Sequence, residues 1–95
     1  MVNYPEKETY TYEDLVHILR ILRAPGGCPW DREQTHESNR RNFLEEAYEA
    51  AEAFDLDDPE LMKEELGDVL MQVLFNIHME EDAGRFTTDD VTDHV

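Results

Sequence analysis

Leu15, Ile18, Leu19 and Leu22 recur at helical spacing. Thr11 and Asp14, three residues apart in front of them, have the form of a capping box. Pro25-Gly26-Gly27 ends that first helix. Cys28-Pro29-Trp30 reads as a loop, and Asp31-x-x-Gln34 is placed to cap the next helix. This second helix is expected from about His36 to Phe54, closed by Asp55–Asp58. Asp58-Pro59-Glu60 is then a start signal, with a capping Asp, Pro at the first helical position and an early Glu. The third helix should run to about Asp82, with Gly84 as its stop. A fourth start, Thr87-x-x-Asp90 with Phe86 and Val91 as a hydrophobic staple, leaves barely two turns before Val95. The chain has no internal repeat, no low-complexity tract and no β-alternating run, so the expected fold class is all-α.

The polar positions of the two long helices carry the chemistry. At about 100° per residue, Glu45, Glu46 and Glu49 share one arc of the second helix, with Phe43, Ala47, Ala50, Ala51 and Phe54 opposite. Taken alone, that is an ordinary amphipathic helix with its acids in water. The third helix changes the reading. Glu65, Asp68, Gln72 and Asn76 form a stripe within about 60°. Val69, Val73, Leu66, Ile77 and Leu70 flank it on one side, and Met71, Phe75 and Met79 on the other. A polar stripe with apolar residues on both flanks points to an interior or a groove. Gly67, on the far side, either admits a close helix approach or is a tolerated mid-helix glycine.

Partly buried carboxylates need a counter-charge, and Lys63 is the only basic residue between Asn42 and Asn76. Glu46 with Glu49 and Glu65 with Asp68 are two i, i+3 pairs whose facing helices can surround an oxygen-ligated divalent ion. Carboxylates without His or Cys partners suit Mg²⁺ or Mn²⁺ better than Zn²⁺.

Composition narrows the function classes. Ninety-five residues suffice for one domain, spanning 1–95, and 24 Asp plus Glu against 8 Lys plus Arg give a net charge of −16. That excess of acid argues against a nucleic-acid polymer or an anionic membrane as partner. No apolar run reaches membrane-spanning length. Met1–Tyr10 lacks both the basic start and the apolar stretch of a signal peptide. The lone cysteine, Cys28, fits a reducing compartment. A cytoplasmic protein is expected.

With these motifs in view, the chain resembles the MazG-type nucleoside triphosphate pyrophosphohydrolases. The resemblance rests on Glu45-Glu46-x-x-Glu49 followed after fifteen residues by Glu65-x-x-Asp68. It is made specific by Gly27-Cys28-Pro29-Trp30-Asp31-Arg32-Glu33-Gln34-Thr35-His36, by Leu44–Glu49, by Glu65-Leu66-Gly67-Asp68-Val69-Leu70 and by Gly84-Arg85-Phe86. It covers about residues 12–91. It implies an all-α NTP pyrophosphatase fold, a helical bundle completed by dimerisation, so a homodimer or higher homo-oligomer is expected. It implies Mg²⁺-dependent cleavage of a nucleoside triphosphate between the α and β phosphorus atoms, with nucleotide-pool clean-up as the role. By motif position Glu46, Glu49, Glu65 and Asp68 match the metal ligands. Glu45 matches the residue that helps activate the attacking water or holds an additional metal. A helical module without activity, used for dimerisation or regulation, is the alternative.

Two departures stand out. The family's domain continues through a complete fourth helix, so this chain is expected to lack most of its last one. Ser38-Asn39-Arg40-Arg41-Asn42-Phe43 is also more polar than the aliphatic stretch expected there. Trp30, Arg32 and Asn76 are the substrate-binding candidates. Trp30 either anchors its loop in the core or stacks on a nucleobase, and Asp31 is either a cap or a catalytic acid. Arg32 belongs to a run holding five of the eight basic residues, between positions 20 and 41, and guanidinium suits phosphate. Gln72 and Asn76 either contact base or ribose, or satisfy each other across a dimer.

Overall fold

Short polar side chains start the helices, and the computed structural model, which describes residues 6–95, shows how. The first five residues, half of the Met1–Tyr10 segment, lie outside the described residues. Helix α1 is Tyr12–Arg23, α2 is Pro29–Glu33, α3 is His36–Leu56, α4 is Pro59–Ala83 and α5 is Thr88–His94. Among the described residues there is no strand, as an all-α fold requires.

Thr11 with Asp14, and Thr87 with Asp90, form the expected capping boxes on α1 and α5. Asp58 accepts from the Leu61 amide at the start of α4. Gly84 ends that helix in the left-handed region (φ 72°), where a side chain is strained. The connection between α1 and α3 differs from expectation. Pro29–Glu33 is itself a short helix, with Asp31 inside it. The cap of α3 is therefore Thr35, which exchanges hydrogen bonds with Ser38. Both Asp31 and Thr35 precede a polar residue three positions on, and periodicity alone does not separate them. Gly27 makes the tight turn before α2: an added Cβ would strike the carbonyl oxygens of Ile21 and Leu22.

Helices α3 and α4 form a long antiparallel hairpin, and α1 packs on the other side of α4. Val16 and Leu19 of α1 meet Leu74 and Ile77 of α4, with Leu15, Leu22, Val73 and Val91 around them. The face that α3 turns to α4 is small and polar: Asn39, Ala50 and Ala53 are buried there, and Glu46 is half-buried. Leu44, Tyr48, Phe54, Leu66, Leu70 and Met71 are exposed instead. The simple amphipathic reading of α3 holds only in part: Glu45 and Glu49 are exposed and Ala50 is buried, but Glu46 is half-buried on the packed side while Ala47, Ala51 and Phe54 are exposed. Met79 is core, while Met71 is not. Nothing lies within 4 Å of a Cβ built on Gly67, so it is no site of close helix approach. No helix of the described residues is long and apolar enough to cross a membrane.

Candidate metal centre

The polar stripe of α4 faces α3 and meets it in successive rungs. Nearest the hairpin turn, Glu46, Glu49 and Glu65 each bring one carboxylate oxygen to within 4.8 Å of the other two. Two turns further, Asn39 Nδ2 donates to Gln72 Oε1 at 2.6 Å. Beyond that, His36 Nδ1 and Asn76 Oδ1 are 2.8 Å apart, and Asn76 Nδ2 donates to the Gln72 carbonyl at 2.8 Å. The last rung is Glu80, gripped by Arg85 and 3.6 Å from His36 Nε2. Gln72 and Asn76 therefore find their partners on α3 of the same chain.

The first rung crowds like charges together in a partly buried setting. Burial raises the Glu46 carboxyl above its ordinary range, and the charges of Glu49 and Asp68 raise it further. Glu65 is raised by burial, then by a hydrogen bond shared with Glu49 and by the charges of Glu49 and Asp68. Glu46 Oε2 and Glu65 Oε2 are buried without a hydrogen-bond partner. Lys63 does not neutralise them, since it pairs with Glu60. Orphaned carboxylate oxygens crowded with like charge fit a hard divalent cation. Asp68 is half-buried and adds its charge to both acids, but it stands outside the close triangle. Glu45 is exposed and takes Arg41 Nε at 3.0 Å.

Beside the acids lies a cavity of about 180 Å³ lined by Trp30, Asn39, Asn42, Met71, Gln72 and Phe75, among others. Asn42 and Gln72 each lie one turn from an acid, Glu46 and Asp68 respectively. Trp30 is 60% exposed on α2, so it is not a core anchor. Arg32 lines a different cavity, between α1, α2 and α4. Asn39 and His36, the α3 partners of the stripe, do not stand out in the sequence. A spacing of seven places Asn39 over Glu46, a signal that the polar character of residues 38–43 obscures.

Among the described residues, helices without strands, with a cluster of three carboxylates that could hold a metal ion between the two long antiparallel ones, define an all-α domain. Residues 34–95 match the family model described as MazG nucleotide pyrophosphohydrolase domain, and the chain belongs to that family. It is 51% identical over 80 residues (84% of the chain, 31% of the relative) to the nucleoside triphosphate pyrophosphohydrolase/pyrophosphatase MazG of Thermotoga maritima. Nucleoside triphosphate pyrophosphohydrolases of Mycobacterium tuberculosis and Escherichia coli are 48% and 42% identical, over 84% and 81% of the chain. The chain spans 25% and 30% of those two, so about a third or less of these relatives' own length.

Proposed function

We propose that this domain hydrolyses nucleoside triphosphates between the α and β phosphorus atoms with Mg²⁺, for which Mn²⁺ can substitute, and that it serves to remove unwanted or non-standard nucleotides. The observation that carries the reading is the convergence of Glu46, Glu49 and Glu65, with two buried oxygens lacking partners. The domain family and the names of its relatives support the substrate class. Glu46, Glu49, Glu65 and Asp68 would hold the metal. When bound, the ion supplies charge neutralisation for the triphosphate and Lewis acidity toward water.

The chain's own residues do the rest. Glu45, exposed next to Glu46 in the chain, accepts the proton of the attacking water as its oxygen bonds to the α phosphorus. The bond from that phosphorus to the α–β bridging oxygen breaks, and pyrophosphate leaves with the electron pair. Trp30 offers an open indole face for the base, next to the amides of Asn42 and Gln72. Asn76, tied to His36, holds the α3–α4 groove in register around the sugar. The exposed side chains of Leu44, Tyr48, Leu66 and Leu70 support a homodimer that completes the bundle.

The test is pyrophosphate release from a panel of nucleoside triphosphates, with Mg²⁺ and with EDTA. Release should need the metal, and Glu49→Gln and Asp68→Asn should each lower it by at least about tenfold. Full Mg²⁺-dependent turnover in both variants would overturn the assignment. A folded, dimeric full-length protein that releases none would point to a helical module without activity.

A further inference from the structure

In a chain of net charge −16, three of the eight basic residues line a single hollow. Arg20 and Arg23 of α1, Arg32 of α2, and His78, Glu81 and Asp82 of α4 border about 530 Å³ there. His78 lies about 140° round α4 from Glu65 and about 20 Å further along it, so this hollow is separate from the acid cluster.

The arginines are fixed from one edge. Arg20 donates from Nε and Nη2 to Glu81 at 3.1 and 3.0 Å, and from Nη2 to Thr88 Oγ1 at 3.3 Å. Arg23 donates from Nε to Asp82 at 2.9 Å and from Nη1 to the Asp31 carbonyl at 2.6 Å, and its guanidinium lies over the Phe75 ring. These contacts leave Arg20 Nη1 and Arg23 Nη2 without a hydrogen bond among the described residues. Arg32 makes no ion pair among them. His78 is 1% exposed, and neither ring nitrogen has a partner. Burial lowers its pKa, so the neutral ring keeps one donor and one acceptor unused.

Ion pairing between α1 and α4 would need only the first two arginines. Among the residues lining the hollow, three guanidinium groups stand against two carboxylates, with Asp89 acting on Arg20 from outside the lining, and Arg32 has no ion-pair partner among the described residues. We propose that this hollow is an oxyanion site, which takes the phosphoryl group of a small phosphorylated molecule free of divalent metal. Prepositioned guanidinium donors suit phosphate oxygens, and the volume leaves room for a group attached to the phosphate. The proposal does not depend on the acid cluster being catalytic.

The test is calorimetric titration of the intact chain, in EDTA, with orthophosphate, pyrophosphate and a nucleoside monophosphate in separate arms. Saturable binding is expected in at least one arm, and the ranking of the three identifies the source of the phosphoryl group. Arg32 is exposed, so Arg32→Glu should stay folded, as circular dichroism would verify, and should weaken binding by roughly tenfold or more. The His78 ring signals in NMR should shift on titration, and Glu49→Gln should bind as tightly as the parent. The proposal is overturned by no saturation in any arm, by indifference to Arg32→Glu, by unmoved His78 signals, or by equal loss in Glu49→Gln.

Discussion

Glu65 and Glu81 are acids on the same helix, and their surroundings drive them in opposite directions. Burial and the neighbouring Glu49 and Asp68 raise the first. Burial also acts to raise the second, but the Arg20 guanidinium and the hydroxyl and amide of Thr88 outweigh it and hold Glu81 at about 2. The pH consequences differ in sign. A depressed pKa contributes stability that is fully present above the ordinary value of 4.5 and is lost as pH falls toward about 2. Glu81→Gln should therefore cost roughly 1.5–3 kcal/mol at neutral pH, and the gap in urea midpoint should close in that acid window. A raised pKa means that the folded state holds its proton more tightly, so metal-free stability falls as pH rises from 4.5 through the raised value. Glu65→Gln should thus raise the urea midpoint in EDTA at pH 7. On the proposed metal site, Mg²⁺ should raise the thermal midpoint of the parent, and Glu65→Gln should abolish that increase.

At the level of elements, the capping residues decide where helices begin, and one pair of candidates separates two readings. Thr35 accepts from the Ser38 amide at 3.1 Å and caps α3, whereas Asp31 sits inside α2. Thr35→Ala should cost about 1 kcal/mol in chemical denaturation. Asp31→Ala should cost less, as its backbone carbonyl, not its side chain, holds Arg23. The two long helices, their ends and the acid stripe of α4 were legible because cap signals and a 3.6-residue period are local properties. Helix α2 was not legible: five residues carry too little periodicity, and Pro29 fits a loop as well as a first turn. Nor was the packed face of α3. Its contact side mixes the small apolar Ala50 and Ala53 with Asn39 and Glu46, whose burial follows the rungs to α4 and not hydrophobicity.

For the whole molecule, the exposed apolar residues on the α3–α4 hairpin stand against a surface that is otherwise strongly acidic. Tyr48 is 72% exposed and Leu66 47%. The proposed homodimer predicts that the parent sediments as a dimer and that the double variant Tyr48→Lys, Leu66→Lys sediments as a monomer at the same concentration. A parent that is already monomeric would refute the dimer. The candidate site was legible in outline, since four of its acids sit in two short motifs. Sequence spacing did not separate Asp68 from the tighter triangle of Glu46, Glu49 and Glu65. Periodicity gives direction around one helix, but the distance between oxygens on two helices depends on how they are set against each other.

The ladder between α3 and α4 makes the hairpin behave like a vernier. Its rungs join residues far apart in the chain through one short turn at Asp57 and Asp58, where Asp57 takes a left-handed conformation. Deleting a single residue from that turn would slide one scale past the other. The acid cluster, the Asn39–Gln72 pair and the His36–Asn76 pair would all fall out of alignment together. A change of length in this hairpin therefore acts on all the rungs at once, which makes that turn an unforgiving place for inserting a tag or a reporter.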